Sequence, residues 1–170
     1  MINKIMPFAA CFLLLYGSNA LSSNCLRIKG KIHTNTLSFE DTSLATLGTL
    51  SLRIKGEGRK RKGRRELCAI QGKIVGTNEL GFPELVHQIV CNDNSIINTT
   101  DSISEFSPID DCRVYIEQDA IMTPVSGHYL GYTGETFLRG TINQCSGENN
   151  LRYRGYLCLD EERNDDYDKK

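Results

Sequence analysis

Any chemistry in this chain has to come from three histidines, a pair of adjacent aspartates, a dense basic run and seven cysteines. An imidazole acts as a metal ligand or a general acid–base group only when a partner lies within geometric reach. His33, His87 and His128 fall on different stretches, and none has a second histidine at ligand spacing. His33 sits on a polar face among alternating cations. His87 shares an alternation face with Leu85, Ile89 and Cys91, which suits an inward, hydrogen-bonded residue. Two carboxylates side by side, Asp110 and Asp111, are able to bind calcium or to divide acid and base roles. Following Pro108 and preceding Cys112, they also suit a turn that bonds its own backbone. No spacing typical of an EF-hand loop surrounds them. Asn92-Asp93-Asn94 reads as a tight hairpin turn. There is no Gly-x-Ser-x-Gly elbow and no phosphate loop. The chain therefore offers no catalytic residue, no metal set and no cofactor motif that sequence reasoning can assign.

The basic run is the sharper signal. Eight of the thirteen residues from Arg53 to Arg65 are Lys or Arg, and only Glu57 opposes them. Its centre, a loop at 56–66, contains Arg59, Lys60, Arg61, Lys62, Arg64 and Arg65. Clustered cations bind polyanions by releasing counterions, with an affinity that falls with salt. No aromatic residue is interleaved to stack on bases, so sequence-specific nucleic-acid recognition is not expected. The same residues also fit a dibasic processing site, a steering loop for an acidic protein partner, or a solvated connector between strands. These alternatives stay open.

What must position such residues follows from the rest of the chain. Residues 1–20 read as a secretory signal peptide: Lys4, an apolar run from Pro7 to Tyr16, then small residues ending at Ala20. Cys11 falls within that segment. The apolar run is shorter than the roughly 20 residues that span a bilayer. A mature chain of about 150 residues, starting at Leu21, is long enough for one domain with a core. It is expected to be secreted, or periplasmic if bacterial, where Asn98-Thr99-Thr100 is a glycosylation acceptor only in a eukaryote. Six cysteines remain, and in an oxidising compartment an even six implies three disulfides. Residues 160–170, with six acidic and three basic side chains, read as a disordered acidic tail.

Period-two alternation dominates residues 21–159 and no amphipathic helix stands out. Eight segments alternate in this way: "CLRIKGKIH", "TLSLRIKG", "LCAIQGKIV", "ELVHQIVC", "SIINTT", "CRVYIEQD", "GETFLRGTINQC" and "LRYRGYLCL". Many short strands between turn residues indicate an all-β antiparallel meander closed, or nearly closed, into a barrel. Gly30, Gly72, Gly140 and Gly155 interrupt strands where a barrel bends or packs closely. Ile28 to Phe39 and Ile70 to Phe82 are similar enough to suggest two alike hairpin starts. A turn near Asn78–Phe82 sets Cys68 opposite Cys91. The strands beginning at Cys112 and ending at Cys145 are symmetric about a loop at 120–133. Cys25 and Cys158 then lie on the first and last strands, neighbours when a meander closes. The expected bridges are 25–158, 68–91 and 112–145, with a 91–112 bridge as the rival.

Ser126 to Asn143, "SGHYLGYTGETFLRGTIN", resembles the glycine-spaced hairpin of the allene-oxide-cyclase-like and dirigent-like barrels. That resemblance implies an eight-stranded, calycin-like barrel able to hold an apolar molecule. It assigns no catalytic residue. Among aromatic strand residues, Tyr115, Phe137, Tyr153 and Tyr156 can line a pocket or simply fill a core. The expected function is that of a non-enzymatic, disulfide-stabilised binding protein. Its ligand is either an apolar small molecule in the barrel or a polyanion or protein at the basic loop. A small barrel enzyme of the allene-oxide-cyclase-like kind is the alternative.

Overall fold

A computed structural model describes residues 24–37, 44–55 and 63–160. Residues 1–20, read above as a signal peptide, most of the acidic tail and Arg59, Lys60, Arg61 and Lys62 lie outside the described residues. Eight strands follow in chain order: β1 (Cys25–Thr36), β2 (Leu44–Lys55), β3 (Arg64–Thr77), β4 (Pro83–Cys91), β5 (Ile96–Pro108), β6 (Arg113–Ser126), β7 (Tyr132–Asn143) and β8 (Glu148–Leu159). Each pairs antiparallel with the next, and β8 pairs back onto β1. The meander is therefore a closed barrel. A single 3₁₀ turn, Gly127–Tyr129, is its one helical element among the described residues.

The alternation read from the sequence sets the faces. On β1, Ile28 and Ile32 are buried while Arg27, Lys29 and Lys31 are exposed. Once the strands close, every inward position meets inward positions of the neighbouring strands, and the barrel interior becomes the core. The three bridges are Cys25–Cys158, Cys68–Cys91 and Cys112–Cys145, as strand geometry predicts. Two of them join directly registered partners, Cys25 with Cys158 and Cys68 with Cys91. The symmetry argument for Cys112 and Cys145 holds, but its loop is shorter than expected. β6 continues to Ser126 and β7 starts at Tyr132, so much of the 120–133 segment is strand.

The two ends of the barrel differ. At the end where the described residues begin and stop, Ile28, Leu52, Ile54, Ile97, Leu157 and Tyr129 fill the interior. Tyr129 is only 1 % exposed, and burial pushes its phenol up to about 12. The Ser95 hydroxyl accepts the His128 backbone N–H at 2.9 Å, which ties the 3₁₀ turn to the β4–β5 turn. Arg64 donates to Glu66 and, at 3.0 Å, to Asp93, closing the same end with charge. Asp93 accepts the Ser95 backbone N–H at 3.0 Å, the turn geometry expected for Asn92–Asn94. Burial opposes the charge of Asp93, but Ser95 and the Arg64 guanidinium outweigh it and hold the carboxyl below its ordinary range.

At the other end the backbone loosens. Register shifts interrupt β2 at Leu44/Thr46, β3 at Ile74/Gly76 and β5 at Ile103/Glu105, against one at the filled end, at Ile96/Ile97. Bulges bend a strand and re-aim its side chains. On β5 the extra residue turns Phe106 inward, where its ring stacks on Phe82 at 5.9 Å.

Two outcomes test this architecture. In the chain-entropy view, removing Cys25–Cys158 frees the longest loop and costs about 5 kcal/mol, against about 3.5 kcal/mol for Cys68–Cys91. Denaturant unfolding of the two double-alanine variants should show that order. Asp93→Asn should lower stability at neutral pH by at most about 1 kcal/mol, because Asn keeps the turn but loses the charge pair. A carboxyl lowered in the folded state stabilises above its unfolded pKa and loses that contribution as pH falls through the folded value. The gap between wild type and variant should therefore close below about pH 4, read from unfolding midpoints across a pH series.

Candidate functional site

The looser end of the barrel encloses a cavity of about 330 Å³. Most of its wall is aliphatic, from Ile32, Leu50, Ile70, Ile89, Ile116 and Leu138 among others. Phe82, Pro83, Phe106 and Ile142, from strand ends and the β3–β4 turn, form its lip. Asn78 fixes that lip. Its side-chain oxygen accepts the backbone N–H groups of Leu80 and Phe82, both at 3.0 Å. Its amide donates to the Ile103 carbonyl at 2.8 Å and to Ser102 at 3.0 Å. Beyond the lip, Leu37, Leu80 and Ile109 stand exposed.

The cavity survives because small residues stand where large ones would fill it. Ala120 and Thr136 oppose each other on β6 and β7 and both line the space. The two glycines of the repeated hairpin starts act differently: each makes room for one large neighbour. A Cβ on Gly30 would lie 2.7 Å from the Tyr153 ring. One on Gly72 would lie 2.4 Å from the His87 imidazole. Gly30 and Tyr153, and Gly72 and His87, are cross-strand partners. So both bulky polar rings can lie flat against the wall. Tyr153 donates to the Ser51 carbonyl at 3.1 Å, and burial raises its phenol well above the ordinary value.

A polar cluster is set into this apolar wall. His87 Nδ1 stands 2.6 Å from Asp101 Oδ2, at ion-pair distance but off the line of a well-directed hydrogen bond. Gln118 donates to the same carboxylate oxygen at 2.7 Å. His87 Nε2 reaches Thr46 Oγ1 at 3.4 Å. On the other side of the barrel, the Asn149 amide donates to Thr34 at 3.1 Å and to Thr36 at 2.9 Å. Besides His87 Nδ1, three atoms of this wall remain without a hydrogen-bond partner, Thr99 Oγ1, Asp101 Oδ1 and Asn149 Oδ1, and in the filled half Tyr129 Oη does too. Asp101 is 2 % exposed and Asn149 4 %. A buried acceptor left unpaired costs roughly 1–3 kcal/mol, and native interiors seldom leave one so. The arrangement thus leaves polar atoms able to bond a guest in the cavity, water included.

His87 is the inward residue that the alternation indicates, and Asp101 and Gln118 are partners that sequence reasoning missed. A signal for them existed. Ile97, Thr99, Asp101 and Ile103 alternate on one face of β5, so two polar residues interrupt an inward row. Of the four aromatic candidates only Tyr153 lines the cavity. Tyr115 is on the outer face and donates to Glu117 at 2.7 Å. Phe137 and Tyr156 are outer-face residues too, beneath Arg154 and Arg27.

The remaining candidates are dispersed. His33 is exposed and bonds Asn150 at 2.6 Å, and His128 packs edge-on against Tyr129. Asp110 accepts the backbone N–H groups of Cys112 and Arg113 at 3.1 and 2.7 Å, as a turn aspartate does. The Arg113 guanidinium beside it, with those N–H groups, holds its carboxyl below the usual range. Asn98 is exposed on the outer face of β5. Of the basic loop residues within the described chain, Arg64 is tied to Glu66 and Asp93, whereas Arg65 is exposed. Among the described residues no helix is long and apolar enough to cross a membrane, and no cluster of three or more ligating side chains is able to hold a metal. Comparison with protein-family models, with curated proteins and with solved structures found no match to this chain.

Proposed function

We propose that the protein is an exported carrier of a small, mainly apolar molecule that bears a hydrogen-bond donor. The carrying observation is the cavity itself: an aliphatic chamber whose polar wall atoms, Asp101 Oδ1 and Asn149 Oδ1, are acceptors without donors. Ligand sites are typically concave and apolar, with a few placed polar groups. About 330 Å³ lies at the lower end of the roughly 300–1,000 Å³ typical of small-molecule sites. That suits a compact small molecule. Its apolar body would lie against Ile70, Ile89 and Leu138, and a hydroxyl or amine would meet Asp101. Three disulfides fit an oxidising destination such as the cell exterior. The resemblance of Ser126–Asn143 to the calycin-like barrels supports the same reading.

The His87–Asp101 pair favours a second reading, a small barrel enzyme that uses the imidazole to move a proton on the confined ligand. Organic extraction of protein purified from its natural source separates the two. A carrier yields the ligand unchanged. An enzyme converts added ligand, and His87→Gln abolishes the conversion.

A direct test uses phenylnaphthylamine, an apolar fluorophore with one N–H, and phenylnaphthalene, which lacks it. The wild type should bind one molecule per barrel. Ala120→Phe, which fills the chamber, should weaken both probes about tenfold or more. Asp101→Asn should weaken only the amine, by about fivefold, since a charge-assisted bond exceeds a neutral one by about 1 kcal/mol. Equal binding by wild type and Ala120→Phe, with both folded by circular dichroism, would refute the carrier reading.

A further inference from the structure

The outer wall of the barrel carries a feature that an interior ligand does not explain. Lys29 of β1 stands opposite Arg53 of β2 on one side and opposite Arg154 of β8 on the other. Arg53 stands in turn opposite Arg65 of β3. All four side chains are exposed. They make one row of cations across four adjacent strands, roughly 14 Å long at about 4.8 Å per strand. One pleat nearer the filled end, Arg27 stands opposite Lys55. One pleat the other way, Arg152 stands between Lys31 and Arg139. Among the described residues none of these cations takes part in an ion pair.

Like charges directly opposite each other destabilise a sheet. Six such pairs adjoin on this wall: 29–53, 27–55, 29–154, 31–152, 53–65 and 139–152. A merely solvated surface intersperses both signs. Among the described residues, the outer faces of β8, β1, β2 and β3 carry one acid, Glu148 at the start of β8; acids resume on β7 and β6, where Glu135 stands opposite Tyr156 and Glu117 opposite Arg139. The wall accepts a repulsion that a counter-charged partner would relieve.

We propose that the wall formed by β8, β1, β2 and β3 binds a linear, sulfated glycan. Charge complementarity and counterion release supply the affinity, as they do for any dense polyanion. The shape of the site selects among polyanions. Its row runs around the outside of four of the eight strands, so a flexible chain can follow it. The rings at its edge, Tyr156 and Phe137, already lie beneath Arg27 and Arg154 at 6.0 and 5.9 Å. They are not free to stack on bases, which single-stranded nucleic acid requires. An anionic membrane would be held by apolar side chains inserted among the cations. The exposed apolar side chains of this wall, Leu67 and Leu47, stand at its β3 edge and toward the lip and not within the row, which is Lys or Arg throughout. The site uses Arg65 of the sequence-predicted basic residues and adds Lys29, Arg53 and Arg154, which lie far apart in the chain.

The test is affinity for a heparin-derived oligosaccharide across a salt series. A wall variant carries Lys29→Thr, Arg53→Thr, Arg65→Thr and Arg154→Thr, since Thr suits an exposed strand position. A loop variant carries Arg59, Lys60, Arg61 and Lys62 changed to Ser. The wall variant should lose about tenfold or more affinity near physiological salt and show a shallower salt dependence. It should also melt at a higher temperature than wild type, because the opposed cations are gone. The loop variant should keep most of the affinity. A wall variant that binds as wild type does, or a loss confined to the loop variant, overturns the proposal. So does a wild type that prefers phosphatidylserine vesicles or single-stranded DNA to the oligosaccharide.

Discussion

The structure depends on the pairing of its first strand with its last. β1 and β8 are in register from Cys25 opposite Cys158 to Asn35 opposite Glu148. Without that seam the sheet would present two long edges, each a row of unpaired backbone donors and acceptors. With it, every strand has two neighbours, and the interior is enclosed on all sides. Closure also fixes the diameter. Eight strands leave an interior just wide enough to be filled by side chains or to hold one small ligand. The seam is covalently locked by the bridge that encloses the longest loop in the chain.

Given that fixed width, side-chain size decides what the interior does. Toward the end where the described residues begin and stop, Leu52, Ile54, Ile97, Leu157 and Tyr129 occupy the available space. Toward the lip, Ala120, Thr136, Thr34 and Thr46 take the corresponding inward positions. The chain thus builds half a core and half a chamber on one scaffold. The filled half carries the hydrophobic stabilisation. The hollow half gives some of it up and leaves acceptors unpaired. Three disulfides, which act largely on the unfolded chain, offset such losses without occupying interior volume.

Much of this was legible in the residues, and the exceptions are physical. Alternation marks the strands because one face of each is buried, and the bridges follow once the strands are ordered in a meander. His87 reads as inward because it stands in step with Leu85 and Ile89. Phe106 does not, because a bulge at Ile103/Glu105 shifts its phase and no local residue type announces the shift. Phe137 and Tyr156 were candidates on aromatic character alone. Their alternation with Arg139 and Arg154 puts them outside, and that phase was the better guide. Hollowness is harder still to read. It depends on which small residues face one another across strands that are distant in sequence.

The same reasoning explains what a reading of the basic run alone leaves out. A linear chain displays a cluster such as Arg59–Lys62 directly, but a sheet makes neighbours of residues a hundred positions apart. Lys29 and Arg154 become adjacent only through the closing seam, and Arg53 joins them only through the β1–β2 register. Lys29 and Arg154 read locally as ordinary exposed strand cations, and Arg53 as the first residue of the basic run. Their assembly into a row follows from closure combined with phase, since a one-residue slip of β1 would turn Lys29 inward and Ile28 outward. Buried Ile28 and Ile32 prevent that slip. The hydrophobic interior therefore holds the outer charges in line, and the barrel that shapes the chamber also sets the spacing of the cations on its wall.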